Sequence, residues 1–310
     1  MPYAQLVEPH HMLAYANNVQ MVTQQIKDPL REAVTIITGK GDSIRVTDLL
    51  GEKDYRRNPD RDRTNPDNPT KRSARWITRP ELIHDGEVID RSDMFDLMLD
   101  PTSDLMRSTV IGIERGIMDS ILGVYKQANG LFGLSGTGML GRAMEGKRGT
   151  TQVPLPAGQT IANGGTGLTL TKLRTMKKRM RAANFGLDSD DPVYGLISPY
   201  QEDDLLAIAA ATGANLNTFN VEQLREGKPS KLMGINWIAT NRLPYNGVLN
   251  RMCPFWSKKN VIAAMWQDVQ GQMWNDTSKL NLPYVYASAC ADAVRVEDGG
   301  VFIIECIEVP

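Results

Sequence analysis

The sequence predicts an α+β protein. Two observations carry that reading. Asp100 to Ala128 (DPTSDLMRSTVIGIERGIMDSILGVYKQA) keeps helical spacing over its whole length, whereas short alternating or wholly apolar runs before and after it read as strands. Strands and helices alternate between about 169 and 280, a compact α/β unit of its own within the chain.

Taken in order, Met12, Tyr15, Val19, Val22, Ile26 and Leu30 mark an amphipathic helix that Pro29 ends or kinks. AVTIIT, a turn at Gly39–Gly41 and SIRVTDLLG follow, with Ile44 and Val46 alternating with polar residues as in a strand. Residues 51–75 differ from the rest. They contain Pro59, Pro66 and Pro69 and almost nothing apolar except Tyr55; residues 52–75 hold eight Lys/Arg and five Asp/Glu. Such a stretch cannot bury enough apolar area to order itself. Strand-like segments flank it, SIRVTDLL before and SARWITR and GEVID after, so the spacing predicts a projecting two-stranded hairpin over 51–92. Two readings stand side by side: a surface loop without a role, or an arm that docks on a partner through Arg56, Arg57, Arg61, Arg63, Arg72 and Arg75. The acids Asp85, Glu87, Asp90, Asp93, Asp96 and Asp100 come next. With His84 the one nitrogen ligand nearby and no calcium-loop spacing, they read as a solvated face or a counter-surface for another copy's arginines.

The long helix opens on Asp100 as N-cap with Pro101 at the first helical position. Met106, Val110, Ile113, Ile117, Ile121 and Val124 form one apolar row, and Ile111, Met118, Leu122 and Tyr125 a second. A stripe this wide requires cover along most of its length. With Asn129–Gly130 as the stop, the expected spine runs 101–128, about 42 Å long. Gly112, Gly116 and Gly123 interrupt it at roughly 1 kcal/mol each relative to alanine. They serve close approach of another backbone or are merely tolerated. Arg107, Glu114, Arg115 and Asp119 exclude a membrane span.

Residues 129–168 are Gly-rich and read as irregular connection. A helix capped at Thr169 or Thr171 then carries Lys172, Arg174, Lys177, Lys178, Arg179 and Arg181, a solvated face or a contact for nucleic acid or an acidic partner. PVYGLIS is a buried strand that runs into the capping box Ser198-Pro199-Tyr200-Gln201 and a helix. FNVEQLREG is a short helix. KLMGINWIAT and KKNVIAAMW read as strands, with NRLP between them as turn and loop. YVYASACADAVRV and VFIIECIEV, joined at Glu297–Gly300, predict a long hairpin that covers the spine.

Composition excludes several classes. A net charge of −1 argues against a dedicated nucleic-acid binder, and three scattered cysteines against a disulfide frame. No signal-peptide pattern or membrane-length apolar run is present, so the expected site of synthesis and use is the cytoplasm, or something assembled there. Three glycine patterns come close to nucleotide or catalytic motifs without completing one. Gly136–Gly141 matches the dinucleotide fingerprint but follows a helix instead of a strand. Gly141–Lys147 begins like a phosphate loop with Arg148 where a hydroxyl is required. Gly133–Thr137 misses the nucleophile elbow at its last position. No metal-ligand spacing exists, and none of His10, His11 and His84 is singled out for catalysis. The expectation is no enzyme, no cofactor, no metal, and no ATP or NAD binding.

In their order these parts resemble the major capsid (coat) protein of tailed bacteriophages, a fold shared with herpesvirus capsids. The stretches that carry the resemblance are the charged loop 51–92, ERGIMDSILGVY with the glycine turn GTG after it, VYGLISPYQEDDLL, LMGINWIATNRLP and ADAVRVEDGGVFIIECIEV. The resemblance implies an amino-terminal arm (1–50), an extended loop (51–92), a peripheral domain with the spine (93–168), an axial α/β domain (169–280) and a return to the periphery in a β-ribbon (281–310). It also implies a shell of pentamers and hexamers that encloses double-stranded DNA by non-specific contact, with a portal, no membrane, and a separate scaffolding protein, because the chain starts almost directly with its arm. A bacterial nanocompartment shell of the same fold is the alternative function, and a nucleotide-using enzyme the third.

Overall fold

The computed structural model describes residues 29–50, 72–89, 102–146, 149–186, 191–213, 233–247 and 249–308. The expected helices over 12–27 and 219–227 lie outside the described residues.

After a helical turn at Leu30–Ala33, strands β1 (Thr35–Thr38), β2 (Ser43–Leu50), β3 (Arg72–Thr78) and β4 (Ile83–Val88) lead to the spine helix, Thr102–Leu122. Short strands β5 (Val124–Lys126), β6 (Phe132–Leu134), β7 (Ala143–Glu145), β8 (Thr151–Val153) and β9 (Thr160–Ile161) follow, so the Gly-rich connection is more regular than expected. The basic helix Leu170–Ala182, β10 (Val193–Ile197) and the capped helix Pro199–Gly213 come next. β11 (Ile235–Ala239), β12 (Tyr245–Asn246), β13 (Asn250–Ser257), β14 (Val261–Asp276), β15 (Leu282–Arg295) and β16 (Val301–Ile307) complete the described chain.

These strands form a ribbon sheet in the order β1-β14-β15-β4 and a larger sheet in the order β11-β10-β13-β16-β9, with β12 on β13. A third sheet runs β2-β3-β7-β8, and β5 pairs β6. The expected carboxyl-terminal hairpin does not form. β15 pairs antiparallel with β14 and β4, whereas β16 pairs with β13 and β9 in the larger sheet. The ribbon over the spine is therefore β14–β15, and the boundary expected at 280/281 falls inside it. The reason is chemical: Phe302, Ile303, Ile304 and Cys306 are all buried, so β16 is covered on both faces as a central strand must be, while the small alanines 287, 289, 291 and 293 let β15 lie close on the spine. Pro254 hides β13 in the sequence. It occupies a central position all the same, because β10 pairs only from Phe255 onward and Pro254 lies just beyond that pairing.

The spine ends at Leu122, shorter than the expected 101–128, and its 21 residues span about 31 Å. Gly123 stops it, with φ of 81° and its amide donating to Asp119 and Ser120 carbonyls. Asn129–Gly130 turns the β5–β6 hairpin instead, and Tyr125 is exposed on β5. Ile113, Ile117, Ile121, Met118 and Leu122 join one core with the ribbon alanines and with Leu196, Phe255 and Phe302 of the larger sheet. Trp256 ties the amino-terminal turn to it, its Nε1 donating to the Ala33 carbonyl at 2.9 Å.

Candidate assembly surface and its anchors

The charged segment leaves from the β2–β3 hairpin, paired from Ser43 opposite Thr78 to Leu50 opposite Arg72, with a bulge between Arg45 and Thr47. β4, expected in the same hairpin, instead forms the edge of the ribbon sheet. The hairpin's base packs on the ribbon through Ile77, Ala143, Ala264 and Val294, a small second core. Arg56, Arg57, Arg61, Arg63, Asp90 and Asp93 lie outside the described residues, as does the side chain of Arg72.

Arg75, expected on the arm, is buried against its own chain. It is 5% exposed; its Nε donates to the Val296 carbonyl at 3.0 Å, and its guanidinium meets Asp298 at 3.4 Å and Glu145 at 3.6 Å. At its base β3 is covered on both faces, so period-two alternation cannot bring this side chain to solvent. Asp85 and Glu87 are exposed on edge strand β4 and have no cation partner among the described residues; the Asp85 carboxylate accepts the Gly86 amide at 2.9 Å.

The spine glycines divide. A Cβ on Gly116 would meet Ile83 Cγ2 at 2.7 Å, a side chain, whereas one on Gly112 meets nothing nearer than Asp85 at 4.0 Å. Close backbone approach is found at Gly123 instead, where a Cβ would lie 1.9 Å from the Thr137 carbonyl oxygen.

Buried charges that no local sequence pattern singles out hold these parts together. Arg295 is 0% exposed: Nε donates to Asp298 at 2.6 Å, Nη2 to the Val153 carbonyl at 2.7 Å, and Nη1 to the carbonyls of Gly141 and Met139. Burial lowers its pKa, and Asp298 opposes that shift. Asp119 on the spine meets Arg242 bidentately, through Nε at 2.7 Å and through Nη2, while the same guanidinium lies 4.8 Å over the Phe132 ring. Burial raises the Asp119 pKa despite that partner.

Glu308 gathers a third cluster. It accepts from Arg251 Nε at 2.8 Å, Ser198 Oγ at 2.7 Å, Gln201 Nε2 at 3.2 Å and Tyr245 O–H at 2.7 Å. The predicted capping box is present beside it, with the Ser198 amide donating to Gln201 Oε1 at 3.1 Å. Burial raises the Glu308 pKa, but the bonds from Arg251, Ser198 and Tyr245 outweigh it and hold the carboxylate below its usual 4.5.

On the basic helix, Lys172 is buried and its Nζ donates to the carbonyls of Thr166, Gly167 and Glu305. Lys177 donates to Met233 and Arg179 to Gly158. Arg174, Lys178 and Arg181 remain as an exposed row. The fingerprint-like Gly136–Gly141 forms turns between β6 and β7 and opens no helix, and Lys147 lies outside the described residues. Among the described residues no group of three or more His, Cys, Asp and Glu is placed to hold a metal, and no helix is long and apolar enough to cross a membrane.

A hairpin carried on a helix-backed ribbon, beside a separate helix-flanked sheet, is an arrangement with solved counterparts. A family model described as "Phage capsid protein" matches residues 7–308. The chain belongs to the phage capsid protein family. This capsid protein is similar in fold to the capsid of cyanophage P-SCSP1u, with 13% identity, 94% of this chain and 92% of that one covered and a TM-score of 0.66. The capsid of Ralstonia phage GP4 matches over 100% and 99% of the two chains at 12% identity and a TM-score of 0.65. Cyanophage Pam1 matches over 99% and 98% at 12% identity and a TM-score of 0.65. No curated protein matches it in sequence. As a phage capsid protein it is a structural component of the virion shell.

Proposed function

We propose that this chain self-assembles as pentamers and hexamers into the icosahedral shell of a tailed phage, enclosing its double-stranded DNA after assembly in the host cytoplasm. The observation that carries the reading is the family match over nearly the whole chain. In this reading the spine and its ribbon are the peripheral part of the subunit and the larger sheet the axial part. Arg56, Arg57, Arg61, Arg63 and Arg72 of one copy meet Asp85, Glu87, Asp90 and Asp93 of the next. A separate scaffolding protein and a portal are the expected partners, and near-neutral net charge allows copies to pack without strong repulsion.

Electron microscopy of the expressed chain tests it. A shell with a portal vertex that fills with DNA is the expected product in the phage context; a small empty shell loaded with protein cargo would mean a nanocompartment. The arm has its own test. Exposed ion pairs are each worth about 0–1 kcal/mol, so a single reversal matters little, but symmetry repeats a combined one around the shell. Arg56→Glu with Arg57→Glu and Arg61→Glu is expected to leave a soluble, folded subunit that forms no particles. Normal particles from that variant would remove the arm from the assembly contact.

A further inference from the structure

Between the hairpin base and the ribbon lies a cleft of about 510 Å3. Asp292 on β15 lines it, 7% exposed. Its walls are the end of β3 and the turn at Ser135–Gly138, and Arg79 and Arg142 also border it. Among the described residues no cation pairs with Asp292. Its Oδ1 accepts the Ala293 amide at 2.8 Å, and the Gly138 amide also donates to the carboxyl. The two arginines are exposed and weakly engaged. Arg79 reaches Asp42, itself 94% exposed, at 3.6 Å, and Arg142 donates to the neutral Gln152 at 2.8 Å.

Burial pushes the Asp292 carboxyl up to about 7, and the two amides only partly offset it. Near neutrality the group is therefore in part an O–H donor. The cleft thus presents two guanidinium groups and an acid proton, with no anion among the described residues held between them; a carboxylate fits that set, since guanidinium binds it bidentately. We propose that this cleft receives an Asp or Glu side chain from a second copy of this chain, held by Arg79 and Arg142 beside Asp292. The inference rests on the shell reading, which sets copies side by side. Among the described residues the chain does expose acids without a cation partner that the arm reading does not use, Glu32 and Asp203 among them.

The charged groups that line the cleft with Asp292 are Arg79 from the end of β3 and Arg142 from the turn side; Cys290 lies near it on its own strand, and β14 presents Ala264 opposite it. The contact is favoured while the acid keeps its proton, and weakens as pH rises through its pKa and a second carboxylate charge appears beside the first. Particle yield is measured over a pH series spanning that value for the wild-type chain and for Asp292→Asn, which keeps a neutral donor. Yield is expected to fall with rising pH for the wild type and to stay level for the variant; matching profiles would overturn the proposal. Arg79→Gln with Arg142→Gln is expected to lose particles while circular dichroism shows a folded subunit. Because the three native cysteines are buried, Ser135→Cys reports the cleft by thiol labelling. Labelling should slow on assembly, or, should no shell form and the shell reading fail, with rising chain concentration. Equal rates throughout, or protection given by duplex DNA to free subunits, which would point to a phosphate occupant, would overturn it.

Discussion

Glu308→Gln tests the cluster that joins β16's end to the capped helix and to β13. The variant keeps one carbonyl acceptor for Ser198 or Gln201 but removes the charge that faces Arg251, which is 6% exposed. Removing one partner of a buried ion pair costs about 3–5 kcal/mol, because the remaining charge stays buried and uncompensated. Arg251 retains the Leu243 carbonyl at 3.0 Å and its position 4.0 Å from the Tyr245 ring centroid, which places the expected loss at the low end, about 3 kcal/mol. For a chain of 310 residues that is a fall in melting temperature of about 5 °C. Urea and thermal unfolding of the free subunit read it directly. The wild-type carboxylate titrates below 4.5 in the folded state, so its contribution is full above the unfolded value and is lost as pH falls through the folded one. The variant should lack that acid-dependent loss. A second consequence is spectroscopic: Tyr245, pushed up to about 12 by burial and then by its bond to Glu308, should titrate lower in the variant. Glu308→Leu with Arg251→Met should be less damaging than Glu308→Gln alone. A stability within about 0.5 kcal/mol of wild type, the range of ordinary surface changes, would refute the anchoring argument.

Gly123→Ala should cost about 3 kcal/mol, since it strains a left-handed residue and drives a methyl into the Thr137 carbonyl; Gly112→Ala on the same helix should gain up to about 1 kcal/mol, and chemical denaturation of both separates closure from tolerance. Gly116→Leu should cost about 1–3 kcal/mol by displacing Ile83, read as a lower urea midpoint. Arg295→Lys keeps the charge but not the fork that reaches Asp298 and several carbonyls at once, so it should lower stability by about 3 kcal/mol; an unchanged midpoint would show that the site relaxes around an ammonium. Calorimetric titration with ATP or NAD should show no binding, and micromolar affinity lost on Lys147→Ala would reverse that expectation.

The spine, the hairpin strands and the capping box are legible in the sequence because each is local: an apolar stripe, an alternation, a serine three residues before a glutamine. Pairing is not. VFIIECIEV and YVYASACADAVRV are both strands joined by a short turn, which suggests a hairpin, yet the choice of partner depends on side-chain volume across sheets that no local pattern contains. The end of the spine is obscured because Val124 and Tyr125 continue its apolar rows, whereas Gly123 answers to Thr137, fourteen residues away in the chain. Arg75 shares its neighbours' charge and so reads as part of the arm, while its burial follows from partners at 145 and 298. The anchors carry only a weak signal: Arg295 and Glu308 are each one of two charges in a largely apolar stretch, and no spacing or motif marks which of the two is paired.

β13 lies between β10 and β16 and completes its pairing only with a partner 57 residues downstream, while the Ala33 carbonyl waits for Trp256, 223 residues along. Emergence from the ribosome therefore leaves this sheet with an open central edge for several seconds at translation rates of about 5–20 residues per second. An open edge is adhesive toward any extended chain. Val296 and Asp298, which hold Arg75 at the hairpin base, sit on the turn that leads into β16. A chain cut short before β16 therefore lacks both the partner of β13 and the carboxylate that meets Arg251.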